Sequence, residues 1–442
     1  MTDSPDRQFT VQPGGALRGR LRVPGDKSIS HRAVMLGAIA DGETRVEGFL
    51  EGDDAMATLA AMRALGVPVE GPDDGRLLIH GVGPHGLKAP SAPLDLGNSG
   101  TSMRLFCGLL AGQAFATELV GDASLMRRPM RRVTEPLARM GARIQTTEAG
   151  TAPLRITPAT SLHGIDYAMP VASAQVKSAL LLAGLYAEGE TAVSEPAVTR
   201  DHTERMLASL GCPVAVAGSR VAVQGGARLT GGAIKVPADI SSAAFFLVGA
   251  SIADGSELVL DDVGLNPSRI GVIEILRRMG ASIDIEPAST EGGEPIGRLT
   301  VRSAALRGID IPRELVPLAI DEFPAIFVAA ACARGETVLA GAEELRVKES
   351  DRIAVMAEGL SALGITVETR PDGLRIEGGS LTGGRVQAQG DHRIAMAFAM
   401  AALAADAPID ITGCAEVDTS FPGFVDMAAA AGLGITAREV SA

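Results

Sequence analysis

Six stretches of the chain share one pattern, a polar or glycine-rich start followed by a helix that is apolar on most of its faces. Their starts recur every 68 to 80 residues, which indicates an internal repeat. A helix that is apolar all round has to be buried. The six predicted buried helices begin near Ser28, Gly100, Ser173, Ser241, Asp321 and Asp391.

A second marker runs in phase with these helices. Helical stretches end in a Leu-Gly or Met-Gly pair, and once more weakly in Ala-Gly, after which a short strand begins. Glycine suits the left-handed backbone conformation that follows many helix C-termini. Each repeat is therefore predicted to hold a buried helix, an amphipathic outer helix and several short strands. The pairs lie at 65–66, 140–141, 210–211, 279–280, 363–364 and 431–432.

Six repeats divide naturally into two similar α/β domains of three repeats each. We expect residues 25–237 in the first domain, and residues 1–24 plus 238–442 in the second, with 1–24 as its first strand. The chain would then cross between the domains twice, near Pro24-Gly25 and Val236-Pro237. The N-terminus of a helix carries unsatisfied N–H groups and the positive end of a dipole. Buried helices that start at a central cleft would make that cleft positive.

Composition narrows the classes of function. A net charge of −13, 3% aromatic residues and no tryptophan argue against a nucleic-acid partner. No apolar run reaches the ~18 residues of a membrane span, and the polar N-terminus lacks the features of a signal peptide. The four cysteines are scattered, which argues against a zinc site or a disulfide framework. A cytoplasmic globular protein is predicted.

The segment PGDKSISHR, residues 24–32, sets a tight turn, cations and hydroxyls at the start of the first buried helix. Ser28 and Arg32 are four residues apart and share a helix face, whereas Lys27 can converge with them only ahead of the first turn. This arrangement suits an anion site. An N-terminal cap at Ser28 followed by exposed cations is an equally open reading.

Two further cationic stretches leave similar alternatives open. Lys348 and Arg352 are like charges four residues apart, which a bound anion, or Glu344 or Glu349, would offset. Arg393 lies in the first turn of an apolar helix, where a cation opposes the dipole. Either a bound anion or a salt bridge to Asp391 would explain it.

Asp321-Glu322 precedes Pro324 and reads either as a helix cap or as a general base among cations. The segments 98–101 and 173–175 offer small side chains and backbone N–H groups at helix starts, with Gly100 allowing a ligand close to the backbone. The spacing of residues alone does not indicate a role for Arg128.

The motifs PGDKSISHR, GNSGTSMR, Arg128-Pro129, SAQ, RVKESDR and GDHR occur in the order that resembles the 5-enolpyruvylshikimate-3-phosphate synthase family. The likeness runs from about Val11 to Gly434. It implies two inverse α/β-barrel-like domains, each of three βαβαββ-type repeats. It also implies enolpyruvyl transfer from phosphoenolpyruvate to the 5-hydroxyl of shikimate 3-phosphate, with release of phosphate and without a metal or organic cofactor. The pathway implied is chorismate and aromatic amino acid synthesis.

The resemblance also implies roles for particular residues. Asp321 would take the proton of the attacking hydroxyl, and Glu349, with Lys27 or Lys348, would protonate the methylene carbon. Shikimate 3-phosphate would contact Lys27, Ser28, Arg32, Ser173, Ala174, Gln175, Arg200, Asp321 and Lys348. Phosphoenolpyruvate would contact Lys27, Asn98, Gly100, Arg128, Gln175, Arg352 and Arg393.

Some positions depart from the first class of that family and resemble the second. This chain has Arg200 where many first-class members have Tyr, Thr419 where they have Lys, and Ser124 where they have Arg. Arg200 is therefore expected to contact shikimate 3-phosphate, and no role is assigned near Thr419. Second-class enzymes insensitive to glyphosate carry Ala at the position of Gly100, so we expect glyphosate to compete with phosphoenolpyruvate here.

Other functions fit parts of the pattern. The UDP-N-acetylglucosamine enolpyruvyl transferase family shares the fold and the chemistry. Its members are expected to have Lys-Asn where this chain has Lys27-Ser28, and a cysteine near the position of Arg128, where this chain has none. RNA 3′-phosphate cyclase would need nucleotide chemistry and a nucleophilic histidine. A non-catalytic anion-binding protein would not need Asp321 and Glu349. We expect a monomer with small anionic substrates.

Overall fold

A computed structural model describes residues 6–440, which form twelve α-helices and 23 β-strands. The helices are α1 (Lys27–Ile39), α2 (Asp53–Ala64), α3 (Gly100–Ala111), α4 (Arg131–Arg139), α5 (Ala174–Gly184), α6 (His202–Ser209), α7 (Ile240–Ile252), α8 (Gly271–Arg278), α9 (Phe323–Ala331), α10 (Arg352–Ala362), α11 (His392–Ala401) and α12 (Phe424–Ala431).

The strands up to the middle of the chain are β1 (Asp6–Val11), β2 (Arg18–Leu21), β3 (Asp41–Glu47), β4 (Val69–Asp73), β5 (Arg76–Val82), β6 (Leu94–Asp95), β7 (Thr117–Val120), β8 (Arg143–Gln145), β9 (Leu154–Thr157), β10 (Asp166–Ala168), β11 (Glu190–Ser194), β12 (Val214–Ala217), β13 (Arg220–Gln224) and β14 (Ala233–Lys235). The remaining strands are β15 (Glu257–Gly264), β16 (Ser282–Ser289), β17 (Ile296–Arg302), β18 (Glu336–Leu339), β19 (Thr366–Arg370), β20 (Gly373–Glu377), β21 (Gly384–Gln387), β22 (Ile409–Thr412) and β23 (Ile435–Val440).

The described chain divides into two compact units. Unit I comprises residues 25–236 and 290–294, and unit II comprises residues 6–24, 237–289 and 295–440. Residues 1–5 and 441–442 of the predicted second domain lie outside the described residues. The chain passes between the units four times, not twice as expected, because the segment 290–294 leaves unit II between β16 and β17. Its Glu294 pairs with His202 of unit I, a partner 92 residues away that no local pattern reveals.

Unit I holds three four-stranded sheets of one design, ordered β14-β3-β5-β4, β6-β7-β9-β8 and β10-β11-β13-β12. In each sheet the first pair of strands is parallel and the other two pairs are antiparallel. Two of the sheets follow the chain order βαβαββ directly. In the remaining sheet, β14 from the end of the unit supplies the first strand.

Unit II repeats this mixed α/β design in sheets ordered β16-β17-β15-β2, β18-β20-β19 and β21-β22-β1-β23. The N-terminal residues form two strands in two different sheets, where the sequence suggested one. Pro13, which has no N–H to donate, and two glycines with positive φ, Gly14 and Gly15, interrupt the strand between them.

All six helices predicted to be buried are buried: α1, α3, α5, α7, α9 and α11. The side chains of Asp26, Ser99, Ser173, Asp239 and Asp391 cap five of them by accepting backbone N–H bonds. The reading of Ser28 as a cap is wrong, because Asp26 does this two residues earlier. Asp321 is also not a cap. Glu322 occupies that position of α9, without a side-chain hydrogen bond to the helix start.

The glycines that follow the outer helices α2, α4, α6, α8, α10 and α12 all have positive φ, between 86° and 115°. The predicted helix ends are therefore confirmed, since this conformation strains any residue with a side chain. None of the helices formed by residues 6–440 has the length and apolar character needed to cross a membrane.

Candidate active site

The start of α1 places two cations of unit I in specific contacts. Lys27 is the first residue of α1, and its Nζ lies 2.8 Å from a carboxylate oxygen of Asp54 at the start of α2. The buried Arg32 guanidinium donates to the backbone oxygen of Ser28 at 2.8 Å, to Thr203 Oγ1 at 2.7 Å and to Ser178 Oγ at 2.8 Å. Arg32 is thus held by three elements of unit I.

Charged groups of both signs act on the buried Arg32. Burial lowers the pKa of Arg32 to about 10, and the carboxylates of Glu204, Asp26 and Glu294 oppose this shift. The charge of Arg200 acts in the same direction as burial, so the two guanidinium groups lie in the same region. Two cations kept near each other form a ready binding place for a phosphate or carboxylate.

His31, also in the PGDKSISHR segment, is a structural residue. Burial lowers the pKa of His31 to about 3, and the cations Lys27 and Arg32 add to that effect while Asp54 opposes it. The neutral ring lies 2.7 Å from Thr58 Oγ1 and 3.2 Å from Ser102 Oγ through Nδ1. A buried neutral imidazole with these partners ties α1 to α2 and α3.

The start of α3 brings four of the predicted residues together. Arg128 donates to Asn98 Oδ1 at 2.5 Å and to Ser124 Oγ at 3.3 Å. Gln175, from the start of α5, donates to Thr101 Oγ1 at 3.0 Å. Asn98, Arg128 and Gln175 therefore surround the N-terminus of α3, where Gly100 is the first helical residue.

Arg104 belongs to the same cluster, and sequence reasoning missed it. Its Nη1 donates to Gln175 Oε1 at 2.8 Å and to the backbone oxygen of Gly100 at 3.2 Å. A single arginine on an otherwise apolar helix was the available signal, because a buried charge needs partners. A Cβ added at Gly100 would lie 2.8 Å from Arg104 Nη1 and 3.1 Å from Arg128 Nη1. Glycine at this position lets both guanidinium groups approach the helix start.

Ser173 and Ala174 form the start of α5. Ser173 Oγ accepts the Val176 N–H at 3.4 Å, and Ala174 is the first helical residue. The remaining N–H groups of the first turn have no intrahelical acceptors. This end of α5 can bind an anion, with Gln175 beside it.

Arg352 is the centre of the corresponding cluster in unit II. Its Nε donates to Asp391 Oδ2 at 2.8 Å, its Nη2 to Glu349 Oε2 at 2.6 Å, and its Nη1 to Asp321 Oδ1 at 3.4 Å. Burial alone would lower the pKa of Arg352, but the carboxylates of Asp391, Glu349 and Asp321 outweigh it and raise that pKa. Arg352 therefore remains charged although it is fully buried.

Lys348 and Arg393 complete this cluster. Lys348 Nζ lies 3.4 Å from Asp321 Oδ1, and Arg393 Nη1 donates to the backbone oxygen of Asp321 at 3.2 Å. Lys348 and Arg352, the like charges four residues apart, do not lie on one helix. Lys348 precedes α10, which begins at Arg352, because Asp351 caps the helix there. The carboxylate of Asp391 pairs with Arg352, a partner 39 residues away.

Unit II thus places Lys348 and Arg352 at the Asp321 carboxylate and Arg393 at the backbone oxygen of Asp321. A carboxylate in this position can accept a proton beside a bound anion. A second buried network lies next to it: Arg269 donates to Ser241 Oγ at 2.7 Å, and its Nη2 lies 3.5 Å from Glu322 Oε1. Among residues 6–440, no group of three or more His, Cys, Asp or Glu side chains could hold a metal ion.

Comparisons of the sequence and of the structure with known proteins all point to one family. The family model described as EPSP synthase (3-phosphoshikimate 1-carboxyvinyltransferase) matches residues 11–427. Relatives named 3-phosphoshikimate 1-carboxyvinyltransferase from Alkalilimnicola ehrlichii and Methylococcus capsulatus are each 67% identical over 430 residues, covering 97% of this chain and 96% and 98% of their own. The solved EPSP synthase from Acinetobacter baumannii has a TM-score of 0.90 at 55% identity, covering 98% of this chain and 100% of that one.

Proposed function

The chain belongs to the EPSP synthase family, and from this premise we infer its reaction. It transfers the enolpyruvyl group of phosphoenolpyruvate to the 5-hydroxyl of shikimate 3-phosphate and releases phosphate, a step of aromatic amino acid synthesis. The observation that carries the inference is the Asp321 carboxylate, which lies 3.4 Å from both Lys348 Nζ and Arg352 Nη1. A reaction between two polyanions needs such a base among cations.

Shikimate 3-phosphate is the proposed ligand of the α1 and α5 starts. The guanidinium groups of Arg32 and Arg200, and the N–H groups at the start of α5 that have no intrahelical acceptor, suit its phosphate and carboxylate. The full proposed set is Lys27, Ser28, Arg32, Ser173, Ala174, Gln175 and Arg200 of unit I, with Asp321 and Lys348 of unit II.

Phosphoenolpyruvate is the proposed ligand of three arginines. Guanidinium forks bind carboxylate and phosphate bidentately, and Arg128 is presented by Asn98 while Arg352 is presented by Asp391. The full proposed set is Lys27, Asn98, Gly100, Arg128 and Gln175 of unit I, with Arg352 and Arg393 of unit II.

The proposed chemistry is addition followed by elimination. Asp321 accepts the proton of the 5-hydroxyl as the hydroxyl oxygen attacks C2 of phosphoenolpyruvate. Glu349, with Lys27 or Lys348, protonates the methylene carbon C3. In the elimination, the group that protonated C3 takes a proton back from C3 of the tetrahedral intermediate. The C–H electron pair forms the C2=C3 double bond, and phosphate leaves with the electron pair of the C2–O bond. Positioning and preorganised charge supply most of the rate enhancement.

One assay tests this function against its rivals. We expect phosphate release from phosphoenolpyruvate only when shikimate 3-phosphate is present, and none with UDP-N-acetylglucosamine. A non-catalytic anion-binding protein would bind both substrates and release no phosphate. Absence of release with shikimate 3-phosphate, from protein shown to be folded, would overturn the proposed function.

Gly100→Ala is predicted to weaken inhibition by glyphosate more than it weakens binding of phosphoenolpyruvate. In the wild type, glyphosate should inhibit competitively with phosphoenolpyruvate. The added methyl group would lie 2.8 Å from Arg104 Nη1 and 3.1 Å from Arg128 Nη1, so both guanidinium groups must shift. The methyl group and the displaced guanidinium groups leave less room in the site. Glyphosate, which is longer than phosphoenolpyruvate, should therefore lose more affinity than the substrate.

Steady-state kinetics with both ligands measure this prediction. The matched control is Gly97→Ala, one turn before the helix, where a Cβ meets no atom within 4 Å but where φ is +57°. Gly97→Ala therefore measures the effect of backbone strain alone, because its added methyl group does not approach Arg104 or Arg128. Equal loss of glyphosate and phosphoenolpyruvate affinity in Gly100→Ala would contradict the crowding argument.

We further propose that the protein acts as a monomer in the cytoplasm, without a nucleic-acid or membrane partner. Its acidity, with a net charge of −13, and its small anionic substrates support this. Light scattering of the purified chain at micromolar concentration tests the oligomeric state, and a mass of twice 45.3 kDa would contradict it.

A further inference from the structure

A buried cluster of charges lies behind the phosphate-binding elements of unit I, and the proposed reaction makes no direct use of it. Lys177, on α5, is 1% exposed, and its Nζ lies 2.7 Å from Glu204 Oε1 and 3.1 Å from Glu195 Oε2. Both glutamates are buried as well. A lysine ammonium at such depth is costly unless it is paired.

Each contact of Lys177 leads to a proposed ligand of shikimate 3-phosphate. Lys177 is the fourth residue of α5, and its backbone N–H donates to the backbone oxygen of Ser173 at 3.1 Å. Glu195 accepts the backbone N–H of Thr199 at 3.2 Å and its hydroxyl at 2.6 Å, which holds the loop immediately before Arg200. One ammonium group therefore connects the start of α5 to the Arg200 loop.

Glu204 extends the connection to Arg32. It follows Thr203, which accepts from Arg32 Nε at 2.7 Å, and Lys177 precedes Ser178, which accepts from Arg32 Nη2 at 2.8 Å. Within residues 6–440, neither oxygen of Glu204 has hydrogen-bond geometry to a donor, so its contact with Lys177 is one of charge. Removing Lys177 would leave the buried Glu204 without the cation that lies 2.7 Å from its carboxylate.

We propose that Lys177 is a positioning residue that holds the starts of α5, the Arg200 loop and Arg32 at the spacing required by shikimate 3-phosphate. This rests on the proposed function. Stability alone explains the cluster poorly, because buried ion pairs are often no more stabilising than apolar residues of similar volume. A geometric role accounts for one ammonium group that is linked, through its own helix and two glutamates, to three segments that carry proposed ligands.

The test variant is the double substitution Lys177→Met with Glu204→Gln. It removes one positive and one negative charge, so the net charge of the cluster is unchanged, and Glu195 keeps the Thr199 N–H and hydroxyl as donors. Lys177→Met alone leaves the buried carboxylates of Glu195 and Glu204 without the cation that they share. If that single variant fails to fold, the double variant still tests the proposal. The matched control is Ile156→Ala in β9, a buried core position whose substitution lowers stability by leaving a cavity.

Titration calorimetry with shikimate 3-phosphate, and the KM for phosphoenolpyruvate at saturating shikimate 3-phosphate, are measured for wild type and both variants. We expect the double variant to raise the Kd of shikimate 3-phosphate by about tenfold or more, with the KM for phosphoenolpyruvate within about twofold of wild type. Ile156→Ala should lower the melting temperature without this selective change.

Two results would overturn the proposal: an unchanged Kd in the double variant, or a Kd raised equally in Ile156→Ala at the same loss of melting temperature. Failure of the wild type to bind shikimate 3-phosphate would refute the proposed function instead. The wild-type titration therefore separates the two failures.

Discussion

Asp321→Ala is expected to lower kcat by about 10²–10⁴-fold while the Kd of shikimate 3-phosphate changes by less than about threefold. The alanine cannot accept the proton of the attacking hydroxyl, so the addition step loses its base. Lys27 and Arg32, two cations proposed to hold shikimate 3-phosphate, remain in place because their contacts with Asp54 and Thr203 do not involve Asp321. Steady-state rates and equilibrium titration in the absence of phosphoenolpyruvate measure the two quantities separately.

Asp321→Asn is the matched control for shape. The amide oxygen can still accept from Lys348 and Arg352, but it is far too weak a base to take up the hydroxyl proton. We expect its kcat to fall as far as that of Asp321→Ala, with a still smaller change in substrate affinity. Equal losses of rate and affinity in both variants would show that Asp321 binds substrate and does not act as the base.

Asp391→Ala is expected to reduce the free energy of unfolding by about 3–5 kcal/mol, the usual cost of removing one partner of a buried ion pair. Asp391 has no exposed surface, and its carboxylate pairs with Arg352, which is also fully buried. The same carboxylate caps α11 by accepting the Arg393 N–H at 3.0 Å. Its loss leaves a buried guanidinium facing only the more distant Asp321 and the partly exposed Glu349.

Urea unfolding of Asp391→Ala and of Asp351→Ala checks this prediction. Asp351 also caps a helix, α10, by accepting the Ala354 N–H at 3.0 Å, but its ion pair with Arg346 is partly exposed. Replacing Asp351 should therefore lower the free energy of unfolding by only about 1 kcal/mol, the usual contribution of a helix cap. If the two variants lose the same stability, the buried pair with Arg352 contributes nothing beyond the cap.

Features that depend on neighbours in sequence were predictable. The six buried helices follow from continuous apolar runs, and the six glycines after the outer helices follow from the need for positive φ at helix ends. The candidate ligands Lys27 and Arg393, at helix starts, came from motif order and a family resemblance, with spacing as support. Arg128 came from the resemblance alone. The roles of all three as ligands remain proposals.

Features that depend on distant partners were not predictable. Arg352 is matched by Asp391, 39 residues away, and Lys177 by Glu204, 27 residues away. Arg104 gave only a weak signal, since a lone charge on an apolar helix does not name its partner. Even short-range readings failed where competing caps decided the helix start, as Asp26 did for α1 and Asp351 for α10.

The pattern of apolar and polar residues determines this protein's repeats, buried helices and chain turns, because each depends on burial or backbone conformation within a few residues. The tertiary structure decides which charges meet. Electrostatic partners are chosen by distance in space, and burial makes each choice obligatory, because a charge removed from water must be matched. The grouping of Asp321 with Lys348 and Arg352, and of Lys177 with two glutamates, therefore emerges only when the chain is folded.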